Sequence, residues 1–577
     1  MTDRETANYR YWCSAPEFDE KTKSELAGIE SDHEEIRDRF CRELEFGTGG
    51  LRGIIGAGTN RMNIYTVGKA TQGLADYIKT QKNWENGVVI AFDSRHMSSE
   101  FARSAALCFN ANGIQTYLFY RLEPVPMLSY AVRRLGCKAG IMITASHNPP
   151  EYNGYKVFWE DGGQITFPRD REIMEKIKAV ESYETIRWLT EEESVKAGLF
   201  HTLGEETEMA FLKDLEAYIV SPEAIKKYGA DIKIVYSPLH GTGKIPVCTL
   251  LQRLGFSRTC LVSEQAEPDG NFPTVVSPNP EEPEAFSLAL KRARLLEADL
   301  VLATDPDADR LGVYVRDKRN GEYHAFNGNM TGILLCEYLL SRRQESGQLP
   351  GNGAVVKTIV TTRMAEPLAA HFGVKLIDVL TGFKYIGEQM RIFEQDGSYS
   401  YQFGFEESYG CLVESCVRDK DAVSAVMTLC EAAAYYHGKG SSLWEEMLRL
   451  YETYGYYKED LVSVTLKGCD GPQKINNIME KMRANPPLCL GPHRVLKIED
   501  YQTGILSDTE SGKTLPTGLP KSNVLRFLLE EEAWFCLRPS GTEPKIKFYF
   551  GVKGDSIEDA RKKLAQLKDS VMRWVGM

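Results

Sequence analysis

The sequence predicts three successive α/β domains, each a three-layer unit with a mainly parallel mixed sheet, followed by a smaller α+β domain. Three observations support this. Short apolar runs of strand length alternate with helix-length segments, and that order recurs three times. Glycine marks the helix-to-strand turns within each round. From about Thr453 the alternation stops, and short strands joined by turns take over. Strands alternating with helices form parallel sheets covered by those helices, whereas a run of short strands with one long helix reads as α+β.

The first round begins at Gly87-Val88-Val89-Ile90-Ala91-Phe92, continues at Asn112 to Phe119, and ends on Ala139-Gly140-Ile141-Met142-Ile143. The second runs from Ile232-Lys233-Ile234-Val235-Tyr236 through Leu254-Gly255-Phe256 and Leu261-Val262 to Ala298-Asp299-Leu300-Val301-Leu302-Ala303. The third comprises Ala354 to Ile359, Phe372 to Ile377, and Tyr399-Ser400-Tyr401-Gln402-Phe403. In the tail, Asp460 to Leu466, Val495 to Ile498, Trp534 to Leu537 and Ile546 to Phe550 read as strands, and Ser556 to about Val575 as an amphipathic helix. The expected boundaries are 1–206, 207–323, 324–452 and 453–577. A length of 577 residues fits several domains, since single cores rarely exceed roughly 250–300 residues.

Bulk properties exclude several classes. A net charge of −12 argues against nucleic acid or an anionic membrane as the main partner. No stretch approaches the roughly 20 apolar residues of a membrane span, and the first residues lack a signal-peptide core. Thirteen scattered cysteines read as free thiols of a cytoplasmic protein.

Each round's third strand ends in a polar cluster. In Asp305-Pro306-Asp307-Ala308-Asp309-Arg310, carboxylates at i, i+2 and i+4 of extended chain converge on one side. Such neighbours stay ionised around a hard cation, with Mg²⁺ the expected ion. A calcium loop of the EF-hand kind fails, because its sixth and twelfth positions would be Arg310 and Arg316. Thr144-Ala145-Ser146-His147-Asn148-Pro149 offers a serine hydroxyl after an apolar strand. A metal site beside such a serine suggests phosphoryl transfer through it. A serine hydrolase is disfavoured, since Ser146 lacks flanking glycines and adjacent side chains diverge in extended chain, which places His147 poorly as its base. Ligands of open α/β sheets bind beyond the carboxyl ends of strands, so three clusters in register would face one cleft.

Further residues fit that cleft. Glu406 and Ser408, in Gly404-Phe405-Glu406-Glu407-Ser408, suit vicinal sugar hydroxyls. Lys384 and Lys420 could add positive charge. Lys156, ten residues past Ser146, could have its pKa lowered by neighbouring cations enough for proton transfer. Arg538-Pro539-Ser540-Gly541-Thr542-Glu543-Pro544 combines a guanidinium fork, hydroxyl donors and a glycine, which suits a phosphate cradle. Ser511-Gly512-Lys513-Thr514 lacks the earlier glycine of a P-loop and reads as a hairpin turn, and Gly241-Thr242-Gly243-Lys244 also lacks that spacing.

Taken together, these loops resemble the α-D-phosphohexomutase superfamily, specifically its phosphoglucomutase/phosphomannomutase group. The likeness covers nearly the whole chain. The Ser146 segment resembles the family's phosphoserine loop, Asp305 to Arg310 its metal loop, Gly404 to Gly410 its sugar-recognition loop, and Arg538 to Thr542 its phosphate-binding loop. Gly49-Gly50-Leu51-Arg52-Gly53 resembles an amino-terminal segment whose arginine, here Arg52, faces the active site. The resemblance implies four domains in a heart-shaped arrangement around a central cleft. It implies Mg²⁺ on Asp305, Asp307, Asp309 and the phosphate of Ser146, with proton transfer by Lys156 and charge stabilisation by Arg310. His147 joins the catalytic candidates. Lys357, Thr381, Gly382, Lys384, Glu406, Ser408 and Lys420 become substrate-contacting candidates, with Arg538, Ser540, Gly541 and Thr542 on the second phosphate. The implied reaction moves phosphate within a sugar monophosphate through a bisphosphate, glucose 1,6-bisphosphate for a glucose substrate. Ser408 tilts the expectation toward glucose over ribose, deoxyribose or mannose phosphates. A monomer or homodimer is expected.

Overall fold

The computed structural model describes residues 2–44, 50–466, 471–540 and 545–576. Among them the strands form four main sheets. The first contains β1 (Leu51–Ile54), β2 (Val88–Phe92), β3 (Thr116–Phe119), β4 (Ala139–Ile143), β5 (Tyr152–Trp159) and β6 (Phe200–Leu203), in the order β1-β5-β4-β2-β3-β6. The second contains β7 (Ile234–Ser237), β8 (Thr259–Leu261), β9 (Leu300–Thr304), β10 (Leu311–Arg316) and β11 (Tyr323–Phe326), ordered β11-β10-β9-β7-β8. The third contains β12 (Gly353–Thr358), β13 (Lys375–Val379), β14 (Ser400–Glu406) and β15 (Gly410–Leu412), ordered β13-β12-β14-β15.

One topology therefore occurs three times. The second, first and third strands of each round lie side by side in parallel, as β3-β2-β4, β8-β7-β9 and β13-β12-β14. The third strand then turns back into an antiparallel partner: β4 into β5, β9 into β10, β14 into β15. β4 and β9 are buried along their whole length. Burial on both faces explains their continuous apolar runs, because parallel strands are covered by helices on each side.

The fourth sheet is antiparallel: Tyr456–Thr465, Lys545–Gly554, Trp534–Pro539, Leu525–Leu529, His493–Asp500, Ile505–Asp508 and Thr514–Pro516 in spatial order. The helix Ile557–Val575 packs on it through Leu564, Leu567 and Val571, and starts at Ser556, whose side chain caps Asp559 N–H. Ser511 to Lys513 joins Ile505–Asp508 to Thr514–Pro516 as the expected hairpin. Ile359, Val360 and Leu380 of the third unit meet Tyr501, Val524 and Trp534 in one apolar cluster, which seats the fourth sheet on the third unit. Every described cysteine is a free thiol. Among the described residues, no helix is long and apolar enough to cross a membrane.

Three helices ahead of β1, Asp3–Ser14, Glu20–Ala27 and His33–Phe40, went unassigned in the sequence reading. They are short, and their apolar residues meet in a small cluster of Trp12, Phe18, Phe40 and Tyr65 instead of the main core. Their role is to hold the segment after β1: Arg39 donates to Ala57 O (3.1 Å), and Asn60 N–H donates to Arg39 O (2.9 Å).

The helix Gly328–Glu345 sits unusually close to β14. A Cβ at Gly332 would lie 2.1 Å from Phe405 Cδ2, in the strand that leads to Glu406. Gly332→Val should overpack this contact by about 1–3 kcal/mol. A lower thermal midpoint is expected; calorimetry showing an unchanged midpoint would mean the helix can shift freely.

Candidate active site

The three polar clusters occupy equivalent positions, each in the turn from a parallel strand to its antiparallel partner. The turn after β4 carries Ser146, the turn after β9 carries the aspartates, and the turn after β14 follows Glu406. They meet at a cavity of about 540 Å³, which Ser146, Asp309, Glu406 and Ser408 help to line.

Ser146 is almost fully buried and has a left-handed backbone, with φ 52°. Its Oγ donates to Asp305 Oδ2 at 2.6 Å, so serine and carboxylates form one site. The left-handed turn corrects one expectation. Because the chain is not extended at Ser146, His147 Nδ1 comes within 3.2 Å of Ser146 Oγ instead of diverging from it. Burial, then the Arg310 and Arg52 guanidinium groups, hold His147 well below the usual imidazole range. It is therefore a neutral hydrogen-bonding partner for the hydroxyl.

Two residues that the sequence reading missed build this turn. Arg95 donates to Ser146 O (2.5 Å), Pro149 O (2.8 Å) and Tyr152 O (3.0 Å), and also to Asn148 O, so one guanidinium gathers four carbonyls. Asp93 pairs with Arg95 and accepts from Thr144 Oγ1 at 2.6 Å, while Thr144 Oγ1 accepts from Ser146 N–H at 2.8 Å. The available signal was position: Asp93 follows β2 directly, at the carboxyl end of a parallel strand.

Asp305, Asp307 and Asp309 are buried, with one oxygen from each lying within 4.8 Å of the others. Burial and the neighbouring Asp307 and Asp309 charges raise Asp305 well above the usual carboxylate range. Burial alone would raise Asp307 too, but the Lys156 ammonium at 2.8 Å, a hydrogen bond with Asp305 and the Lys420 charge together outweigh it and hold that carboxyl low. Asp307 Oδ1 and Asp309 Oδ1 are buried and accept no hydrogen bond. Crowded, unsatisfied carboxylate oxygens are what a hard divalent cation requires, so the donor set fits a metal ion.

The surrounding cations are held in place. Lys156, on β5 opposite Met142, also reaches Asp309 at 3.4 Å, and Lys420 reaches Asp309 at 3.2 Å. The expected lowering of Lys156 is not what these neighbours produce. Burial pushes its pKa down, but Asp307 and Asp309 outweigh burial and raise it. Arg310 donates to Glu281 Oε1 at 2.5 Å, a second partner missed from sequence.

Other candidates divide. Arg52 lines the cavity and donates to Asn148 Oδ1 at 2.9 Å. Ser408 Oγ donates to Glu406 Oε1 at 2.8 Å, and burial pushes Glu406 up to about 7 despite Lys420. Thr381, Gly382, Lys384, Arg538 and Ser540 line the same cavity, as does Lys547, which the sequence reading did not single out. Burial lowers the pKa of Lys384 and of Lys547. Lys357 does not line the cavity: it is fully buried on β12, with its ammonium 2.9 Å from Asp378. Gly541 and Thr542 lie outside the described residues, as does Gly49.

Comparison with known proteins gives the same reading. The three α/β/α domain models of phosphoglucomutase/phosphomannomutase match residues 43–184 (domain I), 209–320 (domain II) and 327–454 (domain III). A phosphoglucomutase of Staphylococcus aureus is 39% identical over 531 residues, covering 92% of this chain and 93% of its own. A phosphoglucomutase of Staphylococcus haemolyticus is 38% identical over 520 residues, covering 90% and 92%. Among solved structures, a phosphomannomutase described as putative from Thermus thermophilus superposes with a TM-score of 0.67 at 23% identity, covering 93% of this chain and all of the other. The parafusin phosphoglucomutase of Paramecium gives 0.65 at 16% identity, covering 93% and 96%; both structures speak for the fold. By these matches, and with Ser146 seated on its aspartate triad, the chain belongs to the phosphoglucomutase/phosphomannomutase family.

Proposed function

We propose that this chain interconverts α-D-glucose 1-phosphate and glucose 6-phosphate through phosphorylated Ser146 and a glucose 1,6-bisphosphate intermediate. One observation carries the proposal: the buried Ser146 hydroxyl donates at 2.6 Å to Asp305, inside a carboxylate cluster with unsatisfied oxygens. Asp305, Asp307 and Asp309 would hold Mg²⁺, which when bound supplies charge neutralisation at the transferring phosphoryl group.

In the forward half-reaction, a free sugar hydroxyl gives its proton to water in the cleft and forms a bond to phosphorus as the bond to Ser146 Oγ breaks; the return half-reaction runs these steps in reverse. Lys156 is suited to protonate the departing serine oxygen, since its pairing with Asp307 and Asp309 keeps it an ammonium ion. A divalent charge on those carboxylates would weaken that hold, and so let Lys156 take the proton when serine attacks in the return half-reaction. Arg310, steered by Glu281, would meet the equatorial phosphoryl oxygens. Glu406 and Ser408 offer paired acceptors to vicinal hydroxyls, while Arg52, Lys384, Arg538, Ser540 and Lys547 offer donors to the second phosphate. Gly541 and Thr542 would complete that group, and Lys357 would act on substrate only through the strand that it anchors. We take the boundaries 1–206, 207–323, 324–452 and 453–577 as the working division, and a cytoplasmic monomer or homodimer as the working state.

A panel of hexose and pentose 1-phosphates, assayed with Mg²⁺ and trace bisphosphate, tests the substrate; the highest kcat/KM is expected for glucose 1-phosphate, and a pentose preference would overturn that choice. Ser146→Ala should lower turnover by about 10⁴-fold or more while sugar-phosphate binding survives. A fully active alanine variant would refute the phosphoserine. Glu406 supplies a pH test. Burial raises this carboxyl to about 7, so it gains a proton as pH falls through that value and loses acceptor capacity. KM should rise on the acid side of 7 in the native enzyme, and Glu406→Gln should flatten that rise relative to the substrate's own titration; parallel profiles would exclude Glu406 from sugar binding.

A further inference from the structure

The turn before Lys244, which fails as a phosphate loop, packs directly behind the aspartate triad. Thr242 donates twice to one acceptor: its N–H lies 2.8 Å from Pro306 O and its Oγ1 lies 2.9 Å from the same oxygen. Both flanking glycines permit this approach. A Cβ at Gly241 would lie 2.4 Å from Pro306 Cα, and one at Gly243 would lie 2.4 Å from the Tyr236 hydroxyl and 2.5 Å from Thr304 Oγ1. The turn is itself fixed from behind, since His240 N–H donates to Gln265 O (2.9 Å) and its ring contacts Glu267 O (3.0 Å) and Thr274 Oγ1 (2.9 Å).

The next two carbonyls of the metal loop are tied to the other units. Asp307 O accepts from Val125 N–H (2.9 Å), at the start of the helix Val125–Leu135, and Ala308 O accepts from Ala422 N–H (3.2 Å), at the start of the helix Ala422–Gly438. Three consecutive carbonyls are thus each tied to a different element, while one oxygen from each carboxylate lies within 4.8 Å of the others. Like charges at that spacing repel; Lys156 and Lys420 offset part of that repulsion, and the tethered backbone keeps the loop in register. Mg²⁺ demands near-ideal octahedral geometry and rewards such preorganisation.

We propose that Thr242 is a positioning residue for the divalent cation: its hydroxyl fixes the Pro306 carbonyl, and through it the spacing of Asp305 and Asp307. The inference rests on the reading of the triad as a cation site. Its test is the dissociation constant for Mg²⁺ by calorimetry and for Mn²⁺ by electron paramagnetic resonance, in the full-length native protein, Thr242→Val and Thr242→Ser. Valine keeps the shape and the backbone donor but loses the hydroxyl; serine restores it. Thr242→Val should weaken both cations about tenfold, the lower end of what loss of a supporting partner costs a metal site. Thr242→Ser should stay near native, and KM for the sugar phosphate at saturating Mg²⁺ should not move. If the valine variant does not fold, Thr242→Ala against Thr242→Ser makes the same comparison. Native cation affinity in the hydroxyl-free variant, or equal weakening in the serine variant, would overturn the assignment of Thr242. A native protein that binds neither cation would instead overturn the metal site itself.

Discussion

Three carboxylates held within 4.8 Å of one another, and buried, are the constraint on which the rest of this structure turns. Each would shed its proton in water, but in the interior burial and the Asp307 and Asp309 charges raise the cost of ionising Asp305. Asp305 shows the outcome, pushed well above the usual carboxylate range, while Asp307 escapes through Lys156. Such a cluster is tolerable only if something positive completes it. Lys156 and Lys420 supply part of the charge, and the two oxygens that still accept no hydrogen bond mark where a cation would supply more.

The fold meets this constraint by using one device three times. Each parallel strand that ends at the site turns back into an antiparallel neighbour, so its turn is held on both sides while its tip stays in the cleft. Each of the three turns carries a left-handed residue, Ser146, Ala308 and Tyr409, a conformation that a free chain would avoid; the turn at Ser146 shows how it is held. Arg95 offsets the cost by collecting four carbonyls of the turn, and Asp93 keeps the guanidinium aimed. The strain delivers Ser146 Oγ to Asp305 and brings His147 alongside.

Much of this was legible from residue order alone, for definable reasons. The central strands announced themselves because burial on both faces demands apolar runs. The aspartates do converge, but through a turn, with Ala308 N–H on Asp305 O (2.9 Å) and Ala308 left-handed, and not through the extended chain that the sequence suggests. What escaped has physical causes too. The helices before β1 bury a small private cluster, so their periodicity is weak in so short a stretch. Arg95, Glu281 and Lys547 lie far in sequence from the groups they face, and no local pattern reveals a contact made by folding. His147 approaches the serine hydroxyl because the backbone at Ser146 turns left-handed where a strand-like spacing implies extended chain. Lys156 was misjudged in a more instructive way, since cations were counted and the carboxylates nearest to it were not.

That last error bears on how the site would work. A lysine tied to two of the triad's carboxylates has a proton affinity that depends on whatever else those carboxylates hold. Lys156 holds the Oδ2 oxygens of Asp307 and Asp309, and the Oδ1 oxygens of the same two carboxylates are left without a hydrogen bond. A dication on those carboxylates would draw on the negative charge that now holds the ammonium, and so would ease proton exchange at Lys156. Such an arrangement would couple acid–base behaviour at Lys156 to the loaded site, where the transferring phosphoryl group would also be neutralised.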